Sequence, residues 1–128
     1  WLSQVQAQVA EMPWPTQVLV GVSNMAQLMA DSDLAIGAAG GTIWEMCMLG
    51  LPTIILVTAD NQKLGAMAVQ RASAAAVVVD VIEIRSLLRG LCNHDDNGSL
   101  SAMAQSAARL IDGAGVSRIA NMVYGIYV

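Results

Sequence analysis

Apolar residues at Leu2, Val5, Val9 and Met12 fall three to four positions apart, which places them on one face of a helix, and Pro13 ends that run. The pattern then changes. TQVLVGV (16–22) is a β-branched run and predicts a strand, followed by a helix that Ser23 or Asn24 can cap and whose inner face carries Met25, Leu28 and Met29. Asp33 precedes a second strand, LAIG. After the glycine turn, TIWEMCML reads as a helix, closed by Gly50 with Pro52 just beyond. TIILV (53–57) predicts a third strand, and a helix over about 62–74 follows it. AAAVVV predicts a fourth strand ending at Asp80, and helices follow over about 82–92, 99–111 and 116–124.

Strands thus alternate with helices across short loops, and the strands are apolar on both faces. That pattern defines an α/β domain with a Rossmann-like parallel sheet and helices on both faces, spanning 1–128 as a single domain. Such sheets bind ligands at the carboxyl ends of their strands, so the loops to search are 22–25, 37–42, 58–62 and 80–83. Because the chain opens in mid-helix, it reads as a fragment of a longer protein.

Composition sharpens this. The 128 residues are 55% hydrophobic and 12% charged, which excludes disorder. The longest apolar runs are strand-length, short of the roughly 18–20 residues of a membrane span. Net charge is −4, with one lysine and five arginines and no basic stripe, so nucleic acid is not an expected partner. Any anion must be held mainly by backbone N–H groups and helix dipoles, and no cofactor is expected. Eight methionines and many alanines amid little charge point to apolar surface that a partner domain or a second copy of the chain covers. Cys47 and Cys92 have neither a disulfide framework nor zinc-ligand spacing; both read as core residues in a reduced, cytoplasmic setting.

GAAGGTIWE (37–45) is the most informative stretch. Glycines at a strand end let a ligand approach the main chain, and the N–H groups of Gly41, Thr42 and Ile43 would face the helix entrance. It matches neither a P-loop nor G-x-G-x-x-G. Two readings stay open: an anion cradle, or a tight turn with Thr42 as helix cap. Glu45 divides the same way. It is placed to close a T-x-x-E capping box, or to accept the two hydroxyls of a ribose. Asn61 and Gln62, after the third strand, offer uncharged donors and acceptors for sugar or phosphate oxygens, or form a polar turn with Asn61 as cap. Ser23, Asp80 and His94 follow the order of a serine-hydrolase triad, but an elbow needs glycine where Met25 stands. His94, Asp95 and Asp96 lack a matched metal geometry and read as a solvated loop. Trp44 would point about 100° away from Glu45 and pack.

The run SNMAQLMADSDLAIGAAGGTIWEMCMLGLPTIILVTADNQ resembles the C-terminal half of the UDP-sugar hydrolases of pseudaminic acid biosynthesis. Those metal-independent enzymes share the two-domain GT-B fold with MurG-type N-acetylglucosaminyl transferases. The close match spans about residues 22–62. It implies that main-chain groups around Val22 and Met25 read uracil, that Gly40, Gly41 and Thr42 face the diphosphate, and that Glu45 holds the ribose. It also places Asn61 and Gln62 near the diphosphate or sugar. In that family the general base is a histidine of an N-terminal domain, so no catalytic residue is expected in this chain, and His94 has no counterpart. Position 41 is Gly where members of that family often carry Ser or another residue, so backbone donors would replace a hydroxyl there. The resemblance implies a UDP-sugar substrate, a missing N-terminal domain and no activity for the fragment alone. In the whole enzyme water would attack the anomeric carbon while UDP leaves against the amides of 40–43. The alternative acceptor is a sugar, which makes the chain the nucleotide-binding half of a GT-B glycosyltransferase.

Overall fold

A strand without a hydrogen-bonding neighbour is only an extended chain, so the sheet is set by which apolar runs find one another. In the computed structural model, which describes residues 1–91 and 97–126, three do: β1 (Ala35–Ala38), β2 (Thr53–Leu56) and β3 (Ala76–Val78). They form one parallel sheet in the order β1-β2-β3, with Ile36 opposite Ile54 and Ile54 opposite Ala76.

The helices follow the sequence pattern closely. They are α1 (Leu2–Ala10), α2 (Met25–Ala30), α3 (Thr42–Met48), α4 (Lys63–Arg71), α5 (Val81–Leu91), α6 (Asn97–Leu110) and α7 (Gly115–Ile126), with one 3₁₀ turn at Asp60–Gln62. Gly50 stops α3 as expected. Its φ of +64° lets its N–H bond the Cys47 carbonyl at 3.0 Å, while the Leu51 N–H reaches back to Met46 O at 2.9 Å, the paired bonds of a Schellman end. The helix cap before α2 is Asn24, whose side chain accepts the Gln27 N–H at 3.1 Å; Ser23 plays no part in it. On α2 only Met29 is buried, whereas Met25 and Leu28, expected beside it, are exposed.

Residues 16–22 depart from the expectation. The segment forms no strand, makes no backbone hydrogen bond to the sheet, and leaves Leu19 and Val20 exposed. Its β-branched pattern expresses a preference for extended backbone, but a ladder needs a partner, and β1 takes its bonds from β2 alone among the described residues.

β2, the central strand, is buried on both faces. Ile55 joins Ile43 and Cys47 of α3, Val69 of α4 and Ala107 of α6 in the main core cluster, and Ile54, pointing the other way, is equally inaccessible. Burial pushes the Cys47 thiol pKa up, which disfavours the thiolate and suits a small core residue. Cys92, His94, Asp95 and Asp96 lie outside the described residues. Because the sheet is parallel, the turns after β1, β2 and β3 all emerge at the same edge.

Candidate functional site

At that edge the turns after β1 and β2 enclose a cavity of about 330 Å³. It is lined by Ala39, Gly40 and Gly41, by Ile43 and Trp44 of α3, by Asn61 and Gln62 of the 3₁₀ turn, and by Gly65 of α4. Four residues singled out in the sequence, Gly40, Gly41, Asn61 and Gln62, therefore meet in one place although twenty residues separate the two pairs.

The glycines are not there for unusual backbone angles. Gly41 has φ −59°, and neither it nor Gly40 has a positive φ; a Cβ added at either would meet nothing within 4 Å. What their small size achieves is an uncovered main chain facing the cavity. The free donors are fewer than expected. Gly40 N–H bonds Ala38 O at 2.8 Å, and Ile43 N–H bonds Gly40 O at 3.3 Å, which removes Ile43 from the set. The N–H groups of Gly41 and Thr42 have no acceptor among the described residues.

Both capping alternatives fail on geometry. α3 is capped by Gly41, with no side-chain hydrogen bond, so Thr42 is already the first helical residue and Glu45 lies one position too far along to close a capping box. Asn61 caps nothing either: α4 starts at Lys63, with Gln62 before it, and Asn61 makes no side-chain bond. Gln62 does. Its Oε1 accepts from Thr58 N and from Thr58 Oγ1, each at 3.0 Å, which fixes the side chain and leaves its Nε2 donors without a protein acceptor among the described residues.

Glu45 occupies the other side of α3. It lines a second, mostly apolar cavity of about 260 Å³ with Ala26 and Met29 of α2 and Met48 and Leu49. Its carboxylate is exposed and has no hydrogen bond or ion pair within the described residues. Val22, half-buried, and Met25, the exposed first residue of α2, lead into that helix but line neither cavity. Neither cavity is lined by an arginine or lysine. Lys63, the chain's one lysine, stands next to Gln62 but pairs with Asp60 at 2.7 Å. Asp80 is likewise committed: its Oδ1 accepts the Ile82 N–H at 2.9 Å while Glu83 Oε1 accepts the Asp80 N–H at 3.2 Å, a reciprocal cap on α5. That removes the acid of the hydrolase triad.

Trp44 and Gly65 line the cavity without being marked as site residues by the sequence pattern, in which Trp44 reads as a packing aromatic beside Glu45 and Gly65 carries no signal.

The first cavity thus lies where parallel α/β domains take their ligands, at strand carboxyl ends, and it offers backbone N–H groups and amides in place of cations, while the Glu45 carboxylate opens on the second cavity across α3. The chain belongs to the glycosyltransferase family 28 C-terminal domain, whose pattern matches residues 1–120. It is similar to the UDP-N-acetylglucosamine–N-acetylmuramyl-(pentapeptide) pyrophosphoryl-undecaprenol N-acetylglucosamine transferase of Acetivibrio thermocellus, with 29% identity over 95% of this chain and 34% of the relative. The enzyme of the same name from Sorangium cellulosum is 31% identical over 77% of this chain and 24% of its own length. The chain therefore spans about a third or less of the curated relatives it matches.

Proposed function

We propose that this chain is the UDP-sugar-binding half of a glycosyltransferase, with a UDP-N-acetylhexosamine as the donor class. The observation that carries the reading is the meeting of Gly40 and the uncommitted Gly41 N–H with Asn61 and Gln62 at one strand-end cavity that no cation lines, the free Thr42 N–H being the next along the same turn. The diphosphate sits against the Gly40–Thr42 turn, whose amides are fixed before the ligand arrives and meet the charge that grows on UDP as it leaves. Glu45, on the α2 side of α3, accepts the ribose hydroxyls, and the main chain near Val22 and Met25 holds the uracil. The sugar lies towards Asn61 and Gln62.

Both relatives are N-acetylglucosamine transferases, and this favours a sugar acceptor over water. The hydrolase of pseudaminic acid biosynthesis suggested by the resemblance is thereby displaced as the leading reading, although the nucleotide half would be the same for either acceptor. The attacking group and its base belong to a partner domain of the same protein. That domain also covers apolar surface left open here, such as Val116, Ile119 and Met122 of α7.

Calorimetric titration with UDP tests the reading. Wild-type chain binds, and Glu45→Ala weakens binding about ten- to a hundred-fold, the usual worth of a hydrogen bond to a charged group. Absence of binding, or equal affinity in the variant, would contradict it.

A further inference from the structure

Trp44 has a larger place in the site than its sequence position suggests. It is 38% exposed, and its ring lines the 330 Å³ cavity beside Gly40, Gly41, Asn61 and Gln62. Gly65 of α4 lines the same cavity beside it. A Cβ there would sit 3.7 Å from Trp44 Cζ2, an ordinary contact, so the fold does not require glycine at this point of α4 even though glycine weakens a helix interior. The missing side chain leaves the indole edge uncovered towards the cavity.

α3 separates this cavity from the one that holds Glu45, as the 100° turn between consecutive helical residues requires. A nucleotide-sugar is linear in the order nucleoside, diphosphate, sugar. With the ribose at Glu45 and the diphosphate at the helix entrance between the two cavities, the sugar falls on the Trp44 side. This step rests on the reading of the preceding subsection.

We propose that Trp44 is a specificity-determining residue, its indole forming the wall against which the C–H face of a neutral pyranose packs. An aromatic ring favours such an apolar face, and the cavity's polar neighbours are uncharged amides that suit a neutral sugar. A sugar carrying a carboxylate would find no cation there: Lys63, the nearest by sequence, is paired with Asp60.

Affinities for UDP and UDP-N-acetylglucosamine, measured on wild-type chain, Trp44→Ala and Trp44→Phe, test this. Wild type binds the nucleotide-sugar more tightly than UDP. Trp44→Ala removes about three- to ten-fold of that advantage while the UDP affinity stays within about twofold, and Trp44→Phe restores most of it. Equal losses for both ligands, or an unchanged preference in Trp44→Ala, overturn the role of Trp44 and leave the nucleotide site standing. If wild type binds UDP but shows no preference for the nucleotide-sugar, the Trp44 proposal again falls alone; if it binds neither, both readings fall.

Discussion

Gly41 is a residue that the fold does not require to be glycine but that the proposed nucleotide site does. Its backbone angles suit any amino acid, and its surroundings leave a methyl group free of contacts. Gly41→Ala is therefore expected to change unfolding free energy by no more than about 0.5 kcal/mol, the range of a benign surface substitution. The same methyl would stand between the ligand and the Gly41 and Thr42 amides. UDP affinity should fall about ten-fold or more, or on the order of 1.4 kcal/mol. Paired thermal melts and titrations check the separation, and a variant that binds as well as wild type would show that the turn is not the phosphate contact. Asp112 is a residue of the other kind, concerned with structure alone. Arg118 bonds both its carboxylate oxygens, at 2.7 and 3.0 Å, and with the Ala114 N–H it lowers the pKa from 3.8 to about 2. Because the folded-state pKa is depressed, this contribution is fully present above about pH 4 and is lost as pH falls through about 2. Comparing melting temperatures of wild type and Asp112→Asn across that window should show a gap that is constant at neutral pH and closes in acid. A gap independent of pH would sink the assignment.

Helix ends carry much of the information at the scale of elements. α3 and α4 finish with the same paired bonds, but α3 uses Gly50 at φ +64° whereas α4 uses Ser73 at φ +55°. A non-glycine residue in that left-handed region costs about 1–2 kcal/mol, partly offset by the greater freedom of glycine in the unfolded chain. Ser73→Gly should accordingly stabilise by about 0.5–1 kcal/mol. Gly50→Ala should destabilise by about 1–2 kcal/mol or more, since its Cβ would also meet Ala104 O at 3.3 Å. Denaturant melts giving both variants the same sign would contradict this account. These ends also show why the helices were legible in the sequence: period, cap and stop are local signals. The strand expected at 16–22 was not legible in the same way, because its residues state a preference while the ladder is decided elsewhere in the chain. The site divides similarly. That Gly40 and Gly41 share a cavity with Asn61 and Gln62 followed from the parallel βαβ rule, because both pairs lie after strands of one sheet. Which way Glu45 and Trp44 turn depended on where α3 begins. A helix starting at Thr42 rather than after it rotates both side chains away from the capping arrangement and gives each its own cavity.

For the molecule as a whole, the parallel sheet gathers its binding turns at one edge, while α1 buries none of its residues and α7 leaves Val116, Ile119, Met122 and Tyr124 exposed. No helix among the described residues is long and apolar enough to cross a membrane. On the proposed reading the acidic chain, at net charge −4, meets an anionic ligand through oriented dipoles, an arrangement that works only if the amides are already in place. Such an arrangement leaves a direct spectroscopic trace. In a two-dimensional amide NMR titration with UDP, the Gly41 and Thr42 resonances should shift first and furthest, with Glu45, Asn61 and Gln62 following in proportion to occupancy. Shifts confined to other surfaces, or an unchanged spectrum at millimolar UDP, would contradict the claim that this strand-end turn is a nucleotide cradle.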